Sequence, residues 1–299
     1  MFSFQVLIQL GYEPSLPEQR YSFIFREYLY YYPGLFGYAR QIIRQDGWRA
    51  LYRGVGGSMF AEVVHLSAVG VIRPTVNHII SKIPLQEVPV DSDGGDVPDT
   101  EPENVETIRG VLVRALRTFL ANTIASVAVE FIVHPFHVIS VRMIAQHVGK
   151  EAIYTSVWRS TREIYREEGF SGFYSGIVPA LLAHLTRCVI YSSMWVLFEA
   201  IAINAPYNWA KMLIRVLIGI PLLNYLPRSY SYPFMLMSNV MAANNARLAI
   251  GQPPFTPVFD NWRDSYRHLK SIGSLYRGSV VFFPRFVARE LPSRTGVSL

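Results

Sequence analysis

The chain has 299 residues, of which 51% are hydrophobic and 17% are charged, and its formal net charge at pH 7 is +6. Its single cysteine, Cys188, excludes an internal disulfide and a cluster of thiolate metal ligands. The basic residues form no compact run, so nucleic acid is not expected as a partner.

The charge is unevenly distributed along the chain. The segment 86–106 contains eight acidic residues and no basic one, so the rest of the chain carries a net charge of +14. Basic loops beside apolar segments suit anionic lipid headgroups or anionic partners. Ordinary solvated loop charge explains them equally well.

The first ten residues are apolar but do not predict a secretory signal. They lack a leading basic region and a cleavage site of small residues. No Arg-rich amphipathic presequence is evident either. Targeting to mitochondria, if it occurs, must therefore be internal.

Four long apolar stretches predict membrane-spanning helices. The clearest is 177–203, whose 27 residues include only three ionisable side chains, His184, Arg187 and Glu199. This is more than the roughly 20 residues that cross the hydrocarbon core, and a soluble helix of this length would need a polar face. The other stretches are 55–80, 111–133 and 212–245. We therefore predict an all-α, multi-pass membrane protein.

Three segments repeat one order of residue types. They are IRQDGWRALYRGVGGSMF (43–60), YREEGFSGFYSGIVPALL (165–182) and LKSIGSLYRGSVVFFPRF (269–286). Each has a polar helix end, a glycine, an aromatic residue two positions before a second glycine, and an apolar run. The closing glycines, Gly54, Gly176 and Gly278, lie 122 and then 102 residues apart. The 20-residue difference matches the acidic segment, which its composition predicts to be a disordered insertion.

The spacing divides the chain into three repeats of about 100 residues. The first covers 1–85, the acidic insertion 86–108, the second repeat 109–208 and the third 209–299. Apolar residues at helical spacing precede the first glycine of each copy, for example Trp262, Tyr266 and Leu269. These stretches predict short helices on the membrane surface, so each repeat has the order span, surface helix, span.

Two prolines lie in matching contexts, HPFHVIS and YPFMLMS. Together with the repeats, they resemble the mitochondrial carrier superfamily, whose repeats carry a Pro-x-[Asp/Glu]-x-x-[Lys/Arg] motif. In carriers the charged positions of three such motifs form a ring of ion pairs that closes the barrel on one side. Neither copy here has the acid or the base, so that ring cannot form. The degenerate motif comprises Pro135, His137, Ser140, Pro233, Met235 and Ser238.

The first and last helices also depart from the carrier pattern. Aligning FQVLIQLGYEP with VRMIAQHVG places the first proline before Met1, so only the second half of the first span is expected. After Gly278 only SVVFF precedes Pro284, which is too short to cross a membrane. The first and sixth helices are neighbours in carriers. Shortening both predicts a lateral groove that is open to lipid.

Within the superfamily the chain is similar to the mitochondrial carrier homolog family. The similarity is densest in VLIQLGYEP, PGLFGYA, HPFHVIS, IYREEGFSGFYSGIVPALL, YPFMLMSNVMAANN and GQPPFTPVF. It implies a carrier-like bundle in the mitochondrial outer membrane that inserts α-helical, especially tail-anchored, membrane proteins. It also implies lipid movement across the bilayer. The implied partners are membrane lipids, those substrate proteins and apoptotic regulator proteins.

Polar side chains inside the spans predict the wall of a hydrophilic groove, since a charge at the centre of a membrane helix costs roughly 3 kcal/mol. Glu130, His134 and His137 fall on one stripe of a helix. No metal site is predicted there, because Pro135 kinks the helix and no fourth ligand is assured. Alternatively, each polar residue bonds to neighbouring helices or to carbonyls freed at the kinks. The groove candidates are Gln5, Glu130, His134, His137, His184, Arg187, Tyr232, Asn239 and Asn244.

No catalytic motif occurs. The chain lacks a P-loop, a Gly-x-Ser-x-Gly sequence and an HExxH sequence, so we expect neither enzymatic activity nor a cofactor. Two alternatives to an insertase stay open. The acidic loop and surface aromatics suit a receptor or scaffold that recruits cytosolic apoptotic partners. The retained repeats suit a solute carrier with altered gating, which the missing ion-pair ring opposes.

Overall fold

The structure is a computed structural model. It describes residues 3–13, 17–22, 26–48, 52, 54–83, 108–203, 207–213, 216, 219–253, 256–279 and 285–286. The predicted acidic insertion lies outside the described residues except for Ile108, which begins a helix. Most of the predicted short sixth helix, after Ser279, lies outside them too.

Nine described helices form an all-α, carrier-like fold. They are α1 (Ser3–Gln9), α2 (Leu35–Asp46), α3 (Val55–Ser81), α4 (Ile108–Ala145), α5 (Val157–Glu168), α6 (Ile177–Ile203), α7 (Asn208–Leu213), α8 (Ile220–Asn244) and α9 (Trp262–Ser271). Short 3₁₀ turns follow α5 at Gly169–Tyr174 and α8 at Ala249–Gly251.

A small antiparallel sheet, which the sequence did not predict, accompanies the helices. Its strands are β1 (Glu18–Ser22), β2 (Glu27–Tyr32) and β3 (Arg285–Phe286), in the order β1-β2-β3. Tyr31 of β2 is opposite Glu18 on one side and Phe286 on the other. The sheet therefore joins residues from near the two ends of the sequence.

Three described stretches are long and apolar enough to cross a membrane, namely Val55–Ser81, Val113–Ala145 and Val157–Phe198, the last of which contains most of α6. They overlap three of the four predicted spans. The fourth, 212–245, forms α7 and α8 but is not among them, because Asn224, Arg228 and two prolines reduce the hydropathy of α8. Pro135 and Pro233 lie inside their helices, which continue to Ala145 and Asn244.

Short helices α2, α5 and α9 occupy the positions predicted for surface helices. A glycine with positive φ follows each of them: Gly47 at 81°, Gly169 at 68° and Gly273 at 63°. This backbone conformation costs glycine nothing and strains other residues. The chain can therefore turn sharply after each short helix and enter the next element.

The chain divides into two compact units. The first comprises Met1–Val64, His134–Pro179 and Met235–Leu299, and the second comprises His65–Val133 and Ala180–Phe234. The buried apolar core of the first unit includes Val138, Ile164, Leu248 and Ile250. The second unit is built from the remaining parts of α3, α4, α6 and α8, together with α7.

Within the first unit, the closing glycine of each repeat contacts a helix of the next repeat. Gly54 contacts α4, Gly176 contacts α8, and Gly278 of the third repeat contacts α1 of the first. A Cβ on Gly54 would lie 2.5 Å from Cγ1 of Ile144 in α4, and one on Gly176 would lie 2.6 Å from the carbonyl oxygen of Ser238 in α8. The cycle is completed by Gln5 in α1, whose Nε2 donates to the carbonyl of Gly278 at 3.2 Å. The three sequence-related glycines therefore each contact a helix of another repeat, through different atoms.

Candidate functional site

The second unit contains a polar cavity of about 390 Å³. Helices α3, α4, α6 and α8 all contribute to its wall. The side chains fall at helical spacing, for example His65 and Arg73 on α3 and His184 and Arg187 on α6, so that each helix presents one face. Small residues of α4, Ala125 and Ser126, leave room between the helices. The ionisable side chains that line the cavity are His65, Arg73, His184, Arg187 and Arg228.

The cavity has an excess of positive charge. Three arginines line it, and none of the described residues in its lining has a carboxylate. The carboxylate of Glu130 contacts one lining residue: its Oε2 lies 2.9 Å from Nε2 of His184, with the two side chains 14% and 22% exposed. We call this site the arginine-lined cavity, after Arg73, Arg187 and Arg228.

Arg187 lies near the middle of α6 and is the least satisfied of these cations. Its Nε is buried and has no hydrogen-bond partner within the described part of the chain, as is also true of Nδ1 of His65. Arg228 repels the Arg187 guanidinium, and Glu130 attracts it. An unpaired buried donor is costly, about 1–3 kcal/mol. The group that satisfies a guanidinium best is a carboxylate or phosphate held by two parallel hydrogen bonds.

Glu130, His134 and His137 share a helical stripe, as predicted, and the ring centroids of the two histidines are 6.1 Å apart, but their hydrogen bonds go to different elements. Glu130 bonds to His184 on α6, whereas Nε2 of the fully buried His134 lies 3.1 Å from the carbonyl oxygen of Ser175. The imidazoles of His134 and His137 therefore bond to residues outside α4. Among the described residues, no group of three His, Cys, Asp or Glu side chains could hold a metal ion.

A chain of side-chain hydrogen bonds joins α1, α4 and α8 in the first unit. His137 Nε2 on α4 donates to Oδ1 of Asn239 on α8 at 2.7 Å, and Nδ2 of Asn239 donates to Oε1 of Gln9 on α1 at 2.6 Å. Asn239 and Gln9 are fully buried. We call these three residues, none of which is an Asp, Glu, Lys or Arg, the neutral chain. His137, at the acidic position of the degenerate motif, thus takes part in a neutral link between the helices.

The structure corrects part of the predicted groove. His134, Asn239 and Asn244 are buried in the first unit and cannot form a groove wall. Asn244 holds both backbone groups of Phe259: its Nδ2 donates to the carbonyl at 2.9 Å, and its Oδ1 accepts from the amide at 3.2 Å. These residues follow the alternative in which neighbouring elements satisfy each polar group.

The other candidates have mixed outcomes. Only His184 and Arg187 line the arginine-lined cavity, with Glu130 bonded to the former. Gln5 bonds to Gly278, and Tyr232 is partly buried on α8. Sequence reasoning missed Gln9, although the alignment used for the first repeat matches it to Gln146 of the second.

The two serines of the degenerate motif, Ser140 and Ser238, are buried, and they stand where carriers have a basic residue. Oγ of Ser140 lies 2.9 Å from Oγ of Ser58 on α3, so it links two repeats. Oγ of Ser238 is buried without a partner in the described residues, beside the Gly176 contact. Met235 is partly buried. The helices therefore approach closely at positions where carriers place charges.

Comparison with known proteins identifies the family. The profile of the mitochondrial carrier protein family matches residues 113–203. Mitochondrial carrier homolog 2 of Homo sapiens is 33% identical over 283 residues, which cover 93% of this chain and 86% of that protein. Mitochondrial carrier homolog 1 of Mus musculus is 26% identical, covering 94% of this chain and 71% of that protein.

A similarity to transporters is narrower. Mitochondrial thiamine pyrophosphate carrier 1 of Pyricularia oryzae is 34% identical over 70 residues, which cover 23% of this chain and 21% of that protein. The carrier homologs, in contrast, match almost the whole chain. Together with the apolar helices, this makes the chain a mitochondrial membrane protein. The chain belongs to the mitochondrial carrier homolog family.

Proposed function

We propose that the protein is a multi-pass insertase of the mitochondrial outer membrane for α-helical, especially tail-anchored, proteins. The observation that carries the proposal is the arginine-lined cavity, which places polar side chains on four long helices. A tail-anchored protein must move a short polar tail through hydrocarbon, at a cost of roughly 3 kcal/mol for each charge. A polar cavity lowers that cost by supplying hydrogen bonds along the way.

A lateral opening to lipid is part of the proposal. Such an opening would let the apolar segment of a substrate move into the bilayer while its tail follows the polar wall. Burial of that segment, at about 0.8 kcal/mol per methylene, drives the step without nucleotide or chemistry. The protein would thus act without catalysing a reaction.

The degenerate motif supports this function over metabolite exchange. A carrier alternates between states by breaking and forming ion pairs, whereas here neutral hydrogen bonds occupy the motif region. Neutral buried bonds between helices favour one fixed arrangement. An insertase needs a lasting polar path rather than two alternating closures.

Insertion into liposomes tests the proposal. The purified full-length protein in phosphatidylcholine vesicles should speed the insertion of a tail-anchored substrate, measured as protease protection of its tail, several-fold over empty vesicles. Arg187→Glu should change the rate, since it reverses the charge of a cavity cation, whereas Arg162→Glu, on the exposed face of α5, should not. Equal insertion with and without the protein would exclude the function. Protease treatment of intact mitochondria then tests the outer-membrane location.

A second candidate function is recruitment of cytosolic apoptotic partners. Exposed aromatic residues at α5 and the turn after it favour it, since Trp158 is 85% exposed and Phe170 is 73% exposed. Deletion of 86–106 should abolish recruitment and leave insertion unchanged if the acidic segment is the docking site.

Lipid transfer between leaflets is compatible with the insertase, because headgroups could follow the same polar path.

A further inference from the structure

We infer that the arginine-lined cavity binds the C-terminal carboxylate of the inserting tail, with Arg187 as the principal contact and Arg73 and Arg228 as supporting charges. The inference rests on the proposed insertase function and names the chemical group that the cavity recognises. Every tail-anchored protein ends, shortly after its apolar segment, in an α-carboxylate. That charge has to enter the membrane with the tail.

The charges of the cavity point to an anion. The described residues of its lining include three guanidinium groups and no carboxylate. The carboxylate of Glu130 cannot neutralise them all, and its Oε2 is bonded to His184. Arg187, whose Nε is buried, is screened less by water than the exposed Arg73 and Arg228, so it attracts an anion most strongly.

The hydrogen-bonding groups of Arg187 favour a planar, two-oxygen ligand. Its guanidinium makes no hydrogen bond to another described residue, and its Nε is buried. A guanidinium presents parallel N–H groups that match the two oxygens of a carboxylate. Charge-assisted bonds of this kind contribute about 1.5–3 kcal/mol each, which corresponds to roughly a tenfold change in an equilibrium or more.

The size of the cavity suits the end of a chain. Its volume of about 390 Å³ is equal to that of about a dozen water molecules at roughly 30 Å³ each. That space holds a carboxylate and the few residues behind it, and it excludes a folded domain. The uncharged lining groups, such as Asn122 and Asn224, can bond to the tail backbone.

A pair of synthetic peptides tests the inference. Both contain a 20-residue apolar segment and four uncharged polar residues, but one ends in a free carboxylate and the other in an amide. In empty phosphatidylcholine vesicles the amide should insert faster, because it has no charge to bury. With the full-length protein the ratio of acid to amide insertion should rise about tenfold.

Three variants identify the group responsible. Arg187→Gln should return the acid-to-amide ratio to that of empty vesicles. Arg187→Lys keeps the charge but loses the paired bonds, so it should give an intermediate ratio. Arg162→Gln, on α5 of the first unit, should keep the wild-type ratio. Thermal unfolding midpoints show whether each variant is folded. If Arg187→Gln does not fold, Arg187→Lys still tests the inference.

The outcomes separate the inference from the function on which it rests. If both peptides insert faster than in empty vesicles but their ratio is unchanged, the inference is wrong and the insertase stands. If neither is accelerated, the insertase itself fails. Headgroup phosphates share the chemistry of a carboxylate, so lipid transfer between leaflets is measured in the same vesicles. Arg187→Gln slowing lipid transfer without altering the peptide ratio would overturn the inference in favour of headgroups.

Discussion

Arg142 and Glu168 form a two-pronged ion pair in the first unit, with Nη1 to Oε1 at 2.5 Å and Nη2 to Oε2 at 3.0 Å. Arg142 is fully buried, and its Nε also donates to the carbonyl of Ala242 at 3.0 Å. One guanidinium therefore ties α4 to the end of α5 and to α8. The second repeat thus retains one buried ion pair close to the motif that has lost its charges.

Removal of this pair should be strongly destabilising. Glu168→Ala leaves the Arg142 charge buried without its carboxylate partner, and a broken buried pair costs about 3–5 kcal/mol. We expect the thermal unfolding midpoint in detergent to fall by about 10 °C. Arg166→Ala is the control. The Arg166 side chain is exposed, so its ion pair with Glu163 should contribute less than about 1 kcal/mol to the free energy of unfolding. Equal effects of the two variants would contradict the assignment.

The close approach at Gly176 gives a second prediction. In Gly176→Ala the new Cβ would lie 2.6 Å from the backbone oxygen of Ser238, which cannot rotate away. Gly169→Ala has a similarly positive φ, but nothing lies within 4 Å of its Cβ position. Gly169→Ala should therefore cost about 1–3 kcal/mol of backbone strain, and Gly176→Ala clearly more. The unfolding midpoints of the two variants measure the difference, and an equal fall in both would mean that the contact with α8 is not tight.

The neutral chain gives a third prediction. Asn239→Ala removes the hydrogen bonds to Oε1 of Gln9 and Nε2 of His137, and losing a bond to a buried polar group costs about 1–3 kcal/mol. The unfolding midpoint should fall by about 8 °C. Gln9→Ala combined with Asn239→Ala should cost less than the sum of the single changes, because both remove the same bond. Asn261→Ala is the control, since its side chain is exposed and makes no capping bond. Additive effects would show that no chain exists.

Tyr154 gives a prediction for alkaline pH. Burial raises the pKa of its phenol above the ordinary value of 10.0, against the charge of Arg142, which lowers it. The folded state therefore favours the neutral phenol. Its stabilising effect is complete below about pH 10 and is lost as the pH rises towards the folded pKa, because the unfolded chain ionises first. Tyr154→Phe should lose less stability than wild type between about pH 9 and pH 11, whereas Tyr165→Phe, which is exposed, should follow wild type.

The sequence predicts the helices much better than their mutual contacts. Apolar run length is a property of one segment, so 177–203 coincides with α6. The closing glycines are also readable, because a tight turn demands positive φ at Gly54 and Gly176. The sheet was missed although EYLYYY in β2 is rich in aromatic residues, since its third strand lies more than 250 residues away.

The cavity could be predicted only in part. Helical spacing shows which residues share a face of one helix, but it does not show which faces of different helices meet. His184 and Arg187 were found on α6 because they interrupt an apolar run. Arg73 and Arg228 were missed because the partner faces of α3 and α8 are set by packing between repeats. The same limit explains why Glu130 was expected beside His134 rather than His184.

Glu130 provides the last prediction, which concerns selectivity rather than stability. Its carboxylate is the negative charge beside Arg187, so it competes with any incoming anion. Glu130→Gln keeps a hydrogen-bonding side chain next to His184 but removes that charge. If the cavity binds the C-terminal carboxylate, the acid-to-amide insertion ratio should rise about threefold above wild type, the effect of roughly 0.6 kcal/mol for a partly screened charge pair. Glu163→Gln, on the surface helix α5, removes an equal charge outside the cavity and should leave the ratio unchanged. A lower ratio in Glu130→Gln would mean that this carboxylate positions the cations instead of opposing the ligand.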